Sequence, residues 1–217
     1  MTVKLVVTPV TAYQQNCSLL ICEKTQEAVL VDPGGDAKKI QQLLQEHNAR
    51  LVNILLTHGH IDHVGAAQTL AVAYHVPILG PHPDDKFWLD GLEDYAAMIG
   101  FEPVKPFEPT QWLHHGDEIT FGACKLEVYH CPGHTPGHVV FLDRVSHLAF
   151  VGDVIFNGSI GRTDFPQGDH AALINSIVHV LWPMGSHIQF VPGHGPMSTF
   201  AEERAHNPFV ADSVLGR

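Results

Sequence analysis

Short apolar runs separated by polar turns make up the beginning of the chain. Residues 3–8, 17–22 and 28–31 are rich in Val, Leu and Ile and predict three strands. Asp32-Pro33-Gly34-Gly35 ends the third. Asp36 then offers an N-cap to a helix whose apolar positions Ile40, Leu43 and Leu44 recur at helical spacing. The run from Leu51 to Leu56 predicts a buried strand, and from Asp62 onward Val64, Ala67, Leu70, Ala71 and Tyr74 predict a second helix. With a strand over 76–79, the β-α-β-α-β order favours a sheet flanked by helices.

Residues 80–110 change character. Pro81, Pro83, Pro103, Pro106 and Pro109 break the pattern, leaving short helical stretches at 86–89 and 95–99, so the segment reads as a surface excursion and a candidate lid. Strands resume over 118–121, 125–129, 139–142 and 148–151. Asp169 then caps a helix carrying Leu173, Ile174, Ile177, Val178 and Leu181. A strand at 188–191, a tight loop at 192–196 and a short helix at 200–205 complete the series. No internal repeat, linker or low-complexity tract interrupts it, so residues 1–217 are expected to form a single domain.

Composition narrows the function classes. The formal net charge is −11, from 12 Lys and Arg against 23 Asp and Glu, with no basic run. Binding a phosphate backbone requires clustered cations, so no nucleic-acid partner is expected. No stretch is long and apolar enough for a signal core or a membrane span. The cysteines Cys17, Cys22, Cys124 and Cys131 lack paired spacing and read as reduced core thiols, which suits the cytoplasm. Cys131 in particular reads as packing, because no neighbouring cation would stabilise a thiolate.

The candidate chemistry lies in Thr57-His58-Gly59-His60-Ile61-Asp62-His63, where a predicted strand hands over to a helix. Three other glycine-rich loops at strand ends offer partners: Cys131-Pro132-Gly133-His134, Gly152-Asp153 and Gly193-His194. Strand ends of one sheet lie along one edge. His58, His60, His63, His134 and His194, with Asp62 and Asp153, provide enough imidazole and carboxylate for two divalent ions, and such donors suit zinc, iron or manganese. Asp62 has a plainer reading as a helix-terminal carboxylate. Asp32 is either a turn carboxylate or an acceptor for the second N–H of a ligand imidazole. His130 and His138 read as structural.

The combination of T-H-x-H-x-D-H with His134, Asp153 and His194 resembles the metallo-β-lactamase superfamily, and within it the short bacterial type of glyoxalase II, the hydroxyacylglutathione hydrolases. The resemblance spans nearly the whole chain. It implies an α+β fold, an αββα sandwich of two mixed sheets with helices outside. It assigns His58, His60 and His134 to one metal, Asp62, His63 and His194 to a second, and Asp153 to both. Two metals sharing a water bring its pKa towards ~7, so a metal-bound hydroxide would be the nucleophile, with Asp62 and Asp153 as the catalytic carboxylates. A thioester suits such a site because its thiolate leaves without a strong acid. The implied reaction is hydrolysis of S-lactoylglutathione to D-lactate and glutathione, as in methylglyoxal detoxification.

In the longer glyoxalase II pattern a C-terminal helical extension supplies basic residues to glutathione, whereas this chain ends soon after Phe209. Arg162, Lys86 and the pair Phe87-Trp88 are therefore the candidate substrate contacts. Arg162 falls where glyoxalase II places a substrate-binding lysine, yet it could equally pair with Asp164 or Asp169. Persulfide dioxygenases resemble the chain as well, in the H-x-H-x-D-H set and in Gly161-Arg162-Thr163-Asp164-Phe165. They hold one non-haem iron with two His and one carboxylate. A lactonase, a phosphodiesterase and a purely structural metal domain rank below both.

Overall fold

All eight residues of Gln15–Cys22 (β2) are buried, which requires a layer on each face of the strand. The computed structural model, which describes residues 3–216, supplies both layers. The first sheet has the order β1 (Val3–Val10), β2, β3 (Glu27–Val31), β4 (Arg50–Leu55), β5 (Ile78–Leu79). Its first three strands pair antiparallel, and β3, β4 and β5 run parallel. The second sheet contains β6 (Glu118–Phe121), β7 (Cys124–His130), β8 (Val139–Asp143) and β9 (Leu148–Gly152). A small hairpin of β10 (Ile155–Phe156) and β11 (Ser159–Ile160) follows, and then β12 (Gln189–Pro192) and β13 (Ser198–Thr199) complete the sheet in the order β13-β12-β9-β8-β7-β6.

The period-2 alternation of side chains divides the core into layers. On β2, Leu20 and Cys22 face the second sheet, joining Val29, Val31 and Leu55 against Leu126, Val128, Phe141 and Phe150. Leu19 and Ile21 face the other way, with Leu30 and Ile54, onto Ile40 and Leu44 of α1 (Ala37–Glu46) and Leu70 of α3 (Ala67–Tyr74). Beyond the second sheet, Val140, Leu142, Val151 and Phe190 meet Leu173 of α6 (His170–Ser176) and Phe200 of α8 (Phe200–His206). The result is the expected αββα sandwich of two mixed sheets.

Strand direction then places the site. The carboxyl ends of the parallel strands β3 and β4 share one edge, as do those of β9 and β12, and β7 runs with them because two antiparallel steps separate it from β9. Backbone bonds bring the two edges together. Val139 N–H donates to the Thr57 carbonyl at 2.8 Å and Asn16 N–H to the Gly193 carbonyl at 2.7 Å.

Several local expectations change. Asp36 does not cap α1; it adopts φ 50° and its carboxylate accepts the Thr11 N–H at 2.8 Å, a tertiary bond that outcompetes the local one. The helix expected from Asp62 is split into α2 (Ile61–Val64) and α3, with His60 in the N-cap position. Gly65 causes the break: a Cβ there would lie 2.4 Å from the Gly34 carbonyl, and Ala66 N–H is drawn to the Pro33 carbonyl. The helix after Asp169 is capped as expected, by a bond from Ala172 N–H, but widens into a π-turn over Ile177–Leu181 before α7 (Trp182–Met184). Residues 80–110 are more than a surface excursion, because α4 (Lys86–Asp90) and α5 (Leu92–Ile99) put Leu89, Leu92 and Ala96 into the core.

Candidate metal centre

β4 delivers Thr57 and His58, α2 carries Asp62 and His63, and the loops after β7, β9 and β12 bring in His134, Asp153 and His194. Two triads form. His58, His60 and His134 place one ligating atom each within 4.8 Å of one another, and so do Asp62, His63 and His194. In the first, His60 Nδ1 lies 3.1 Å from His58 Nε2 and 3.0 Å from His134 Nε2. In the second, His194 Nε2 is 3.2 Å from Asp62 Oδ2. Asp153 reaches both, with Oδ1 3.4 Å from His63 Nε2 and Oδ2 3.6 Å from His134 Nε2 and 3.7 Å from His194 Nε2.

The remaining ring nitrogens decide which atoms carry lone pairs. A carbonyl only accepts, so His134 must donate from Nδ1 to the Arg162 carbonyl at 2.7 Å, and His194 from Nδ1 to that of Tyr13 at 3.1 Å. Their Nε2 atoms are then acceptors turned into the site. Asp32 sets the next two. Its carboxylate takes the Thr57 hydroxyl at 2.6 Å, the Thr57 N–H at 2.7 Å and His63 Nδ1 at 2.9 Å. With its proton committed to Asp32, the Thr57 hydroxyl is left to accept from His58 Nδ1 at 3.0 Å. Asp32 is thus an acceptor behind ligands of both triads, and only secondarily a turn residue.

Acceptor nitrogens about 3 Å apart repel one another unless a proton or a cation lies between them. Burial, followed by His63, His138 and the other imidazoles, drives His58 far below the usual histidine range, so this imidazole stays neutral. His63 Nε2 and Asp153 Oδ1 are buried without any hydrogen-bond partner. A pair of divalent ions satisfies all these atoms, and the donor set fits a dimetal site. Burial raises the Asp153 carboxyl, but His63, His134 and His194 outweigh it and hold Asp153 ionised. At His63 burial opposes charge, yet Asp153, Asp62 and Asp32 prevail and raise its pKa well above the ordinary value.

The triads floor a cleft of about 610 Å³ walled by Tyr13, Ile61, Tyr95, Ile99, Phe156, Ile160 and Phe165. Arg162 stands at its rim, paired through two 2.6 Å contacts to Asp164 and lying 4.4 Å over the Phe165 ring. The other candidate contacts, Lys86, Phe87 and Trp88, are not among the cleft walls. Lys86 is outside the cleft walls and pairs with Asp90 at 2.6 Å. Trp88 is buried behind His60, ring centroids 4.4 Å apart, and supports that ligand from the protein side. His138 accepts the Asp153 N–H at 3.0 Å and stacks on His58, while Cys131 is buried, its thiol pushed up by burial, in agreement with structural roles.

One residue escaped the sequence reading. Asp85, fully buried, accepts bonds from Gly59 N–H at 2.8 Å, the Thr135 hydroxyl at 2.8 Å and Gly137 N–H at 2.6 Å, tying the His58–His60 turn to the His134 loop. Two of its three partners are backbone groups, which leave no mark in side-chain spacing.

The fold and the donor set define a metal-dependent hydrolase. The family model for the metallo-beta-lactamase superfamily matches residues 10–194, and the chain belongs to that superfamily. Within it, the chain is 43% identical over 203 residues to hydroxyacylglutathione hydrolase GloC of Haemophilus influenzae, covering 93% of this chain and 95% of that one. Among solved structures it is similar to the BLEG-1 B3 metallo-beta-lactamase, with a TM-score of 0.88 and 34% identity over 95% of this chain and 99% of the other. TTHA1623, solved in a di-iron-bound form, gives a TM-score of 0.86 and 36% identity over 94% and 100%. ETHE1 from Myxococcus xanthus gives 0.77 and 26% over 97% and 85%. Among the described residues no helix is long and apolar enough to cross a membrane.

Proposed function

We propose that this chain hydrolyses a glutathione thioester, S-lactoylglutathione, to D-lactate and glutathione in the cytoplasm, as part of methylglyoxal detoxification. The reading rests chiefly on the position of Asp153, within 3.4–3.7 Å of nitrogens from both triads at the floor of an otherwise apolar cleft. His58, His60 and His134 would hold one ion, Asp62, His63 and His194 the second, and Asp153 both, with zinc the first candidate. When bound, such ions lower the pKa of a shared water towards ~7 and polarise a substrate carbonyl. Asp32 and the Arg162 and Tyr13 carbonyls keep the ligand imidazoles in the tautomer that presents a lone pair. The aromatic and aliphatic walls lower the local dielectric and strengthen every charge interaction at the floor. Arg162, its side chain 61% exposed, would exchange Asp164 for a carboxylate of the thiol half. The departing thiolate needs no strong acid.

Identity to GloC supports this choice of substrate. TTHA1623 was solved in a di-iron-bound form, whereas a single iron held by two imidazoles of the first triad and Asp153 would favour the alternative, a mononuclear persulfide dioxygenase. Metal content, thioester hydrolysis and oxygen uptake measured on one preparation separate the two. Two metals per chain with thioester cleavage are expected. Oxygen uptake with glutathione persulfide and no thioester cleavage would overturn the hydrolase reading.

A further inference from the structure

A second cluster of ligating side chains lies outside the residues that line the cleft. His82 and Asp84 come from the turn leading into α4, His130 ends β7, and His114 belongs to the loop before β6. His82, Asp84 and His130 offer ligating atoms within 4.8 Å of one another. The His82 ring stacks on His130 with centroids 4.1 Å apart, and the His114 ring approaches His82 edge-on at 5.0 Å.

The hydrogen bonds around the cluster fix the nitrogens that can accept. His130 must donate from Nε2 to the Pro136 carbonyl at 2.8 Å, so its Nδ1 is an acceptor. His82 Nδ1 accepts the Asp84 N–H at 3.3 Å and lies 3.3 Å from Asp84 Oδ2. Burial, then the imidazoles of His130 and His114, push the pKa of His82 down, against the pull of Asp84. The neutral imidazole is the form that binds a metal.

We propose that His82, Asp84 and His130 form an additional site for a borderline divalent cation such as Zn2+ or Ni2+. Two imidazoles and one carboxylate, without a thiolate, match the preferences of these ions. The half-buried His82 and the exposed Asp84 leave the site open to solvent, and the net charge of −11 favours cations. An ion there would fasten the turn preceding α4 to the end of β7. That turn already donates His82 N–H to the Gly137 carbonyl at 3.0 Å and carries Asp85.

The test uses the protein with its cleft metals in place, titrated with Zn2+ by equilibrium dialysis and followed in parallel by thermal unfolding. The parent should bind one equivalent more than an H82Q/D84N variant, and its Tm should rise over the same Zn2+ range while the variant's does not. H82Q alone should weaken this equivalent by more than ~10-fold, since removing a ligand exceeds the ~10–100-fold loss on removing a group behind one. H130Q serves as the second variant should the double one fold poorly, and should weaken the same equivalent. Equal stoichiometry and affinity in parent and variants, or no further equivalent in the parent, would overturn the site. The readout is metal count and Tm, so it is independent of which reaction the cleft performs.

Discussion

Asp32→Asn tests the linkage behind both triads with the least disturbance to the backbone. Asp32 sits at φ 50°, a conformation Asn tolerates as well as Asp, and the two side chains are nearly equal in size. The amide oxygen can still accept the Thr57 N–H that Oδ1 holds at 2.7 Å. At the Oδ2 position, however, an acceptor becomes an NH2 donor facing the Thr57 hydroxyl and His63 Nδ1. His63 can accept from it only by moving its own proton to Nε2, the atom needed for the metal. The Thr57 hydroxyl, turned away from Asn, no longer accepts from His58 Nδ1. Each bond to Asp32 that is lost involves a carboxylate and is worth ~1.5–3 kcal/mol, which agrees with the ~10–100-fold loss of metal affinity seen when a group behind a ligand is removed. The direct bond to His63 and the relayed one to His58 predict a larger loss at the Asp62/His63/His194 triad than at His58/His60/His134. Competition with a chromophoric chelator, resolved into two binding steps, measures both losses. Parent affinity at both steps, in a folded D32N protein, would refute the linkage.

Gly193→Ala should abolish metal binding and turnover while far-ultraviolet circular dichroism remains that of the parent, because the added Cβ would lie 2.0 Å from Asp153 Oδ1 and 2.6 Å from the His63 ring. Arg162→Ala should raise KM for a glutathione thioester about tenfold with little change in kcat, as expected for loss of a ground-state carboxylate contact; an unchanged KM would remove Arg162 from the substrate site. Asp85 makes a pH prediction. Burial pushes its carboxyl from 3.8 up to about 6 in spite of three donated hydrogen bonds, chiefly from Thr135 and Gly59. The folded state therefore holds this proton more tightly than the unfolded one, and the stability Asp85 contributes is present below pH 4 and falls by up to about 3 kcal/mol as pH rises to 6. Asp85→Ala should make the slope of urea-derived stability against pH more positive between about 4 and 6, in chelator to keep metal release out of the comparison; an unaltered slope would contradict the assignment.

The fold and the donor set were largely legible because both leave local marks. The unbroken apolar run in β2 follows from two covered faces, and each donor loop combines a ligand type with glycine or proline directly after an apolar strand. Whatever depended on a distant partner was read incompletely. Asp36 has the side chain of an N-cap, but Thr11, twenty-five positions earlier, holds it. The helix through Gly65 is interrupted by the Gly34 carbonyl, and Lys86 is cationic in a segment whose neighbouring helix, not itself, lines the cleft. Asp85 is the sharpest instance. Nothing distinguishes it from Asp84 in the sequence, yet one is buried against two ligand loops and the other is exposed. A metal selects residues by side-chain type, so its ligands stand out as a pattern of His and Asp. Asp85 works through backbone N–H groups that every residue but proline possesses, so only the packing that brings α4 beneath the loops distinguishes it.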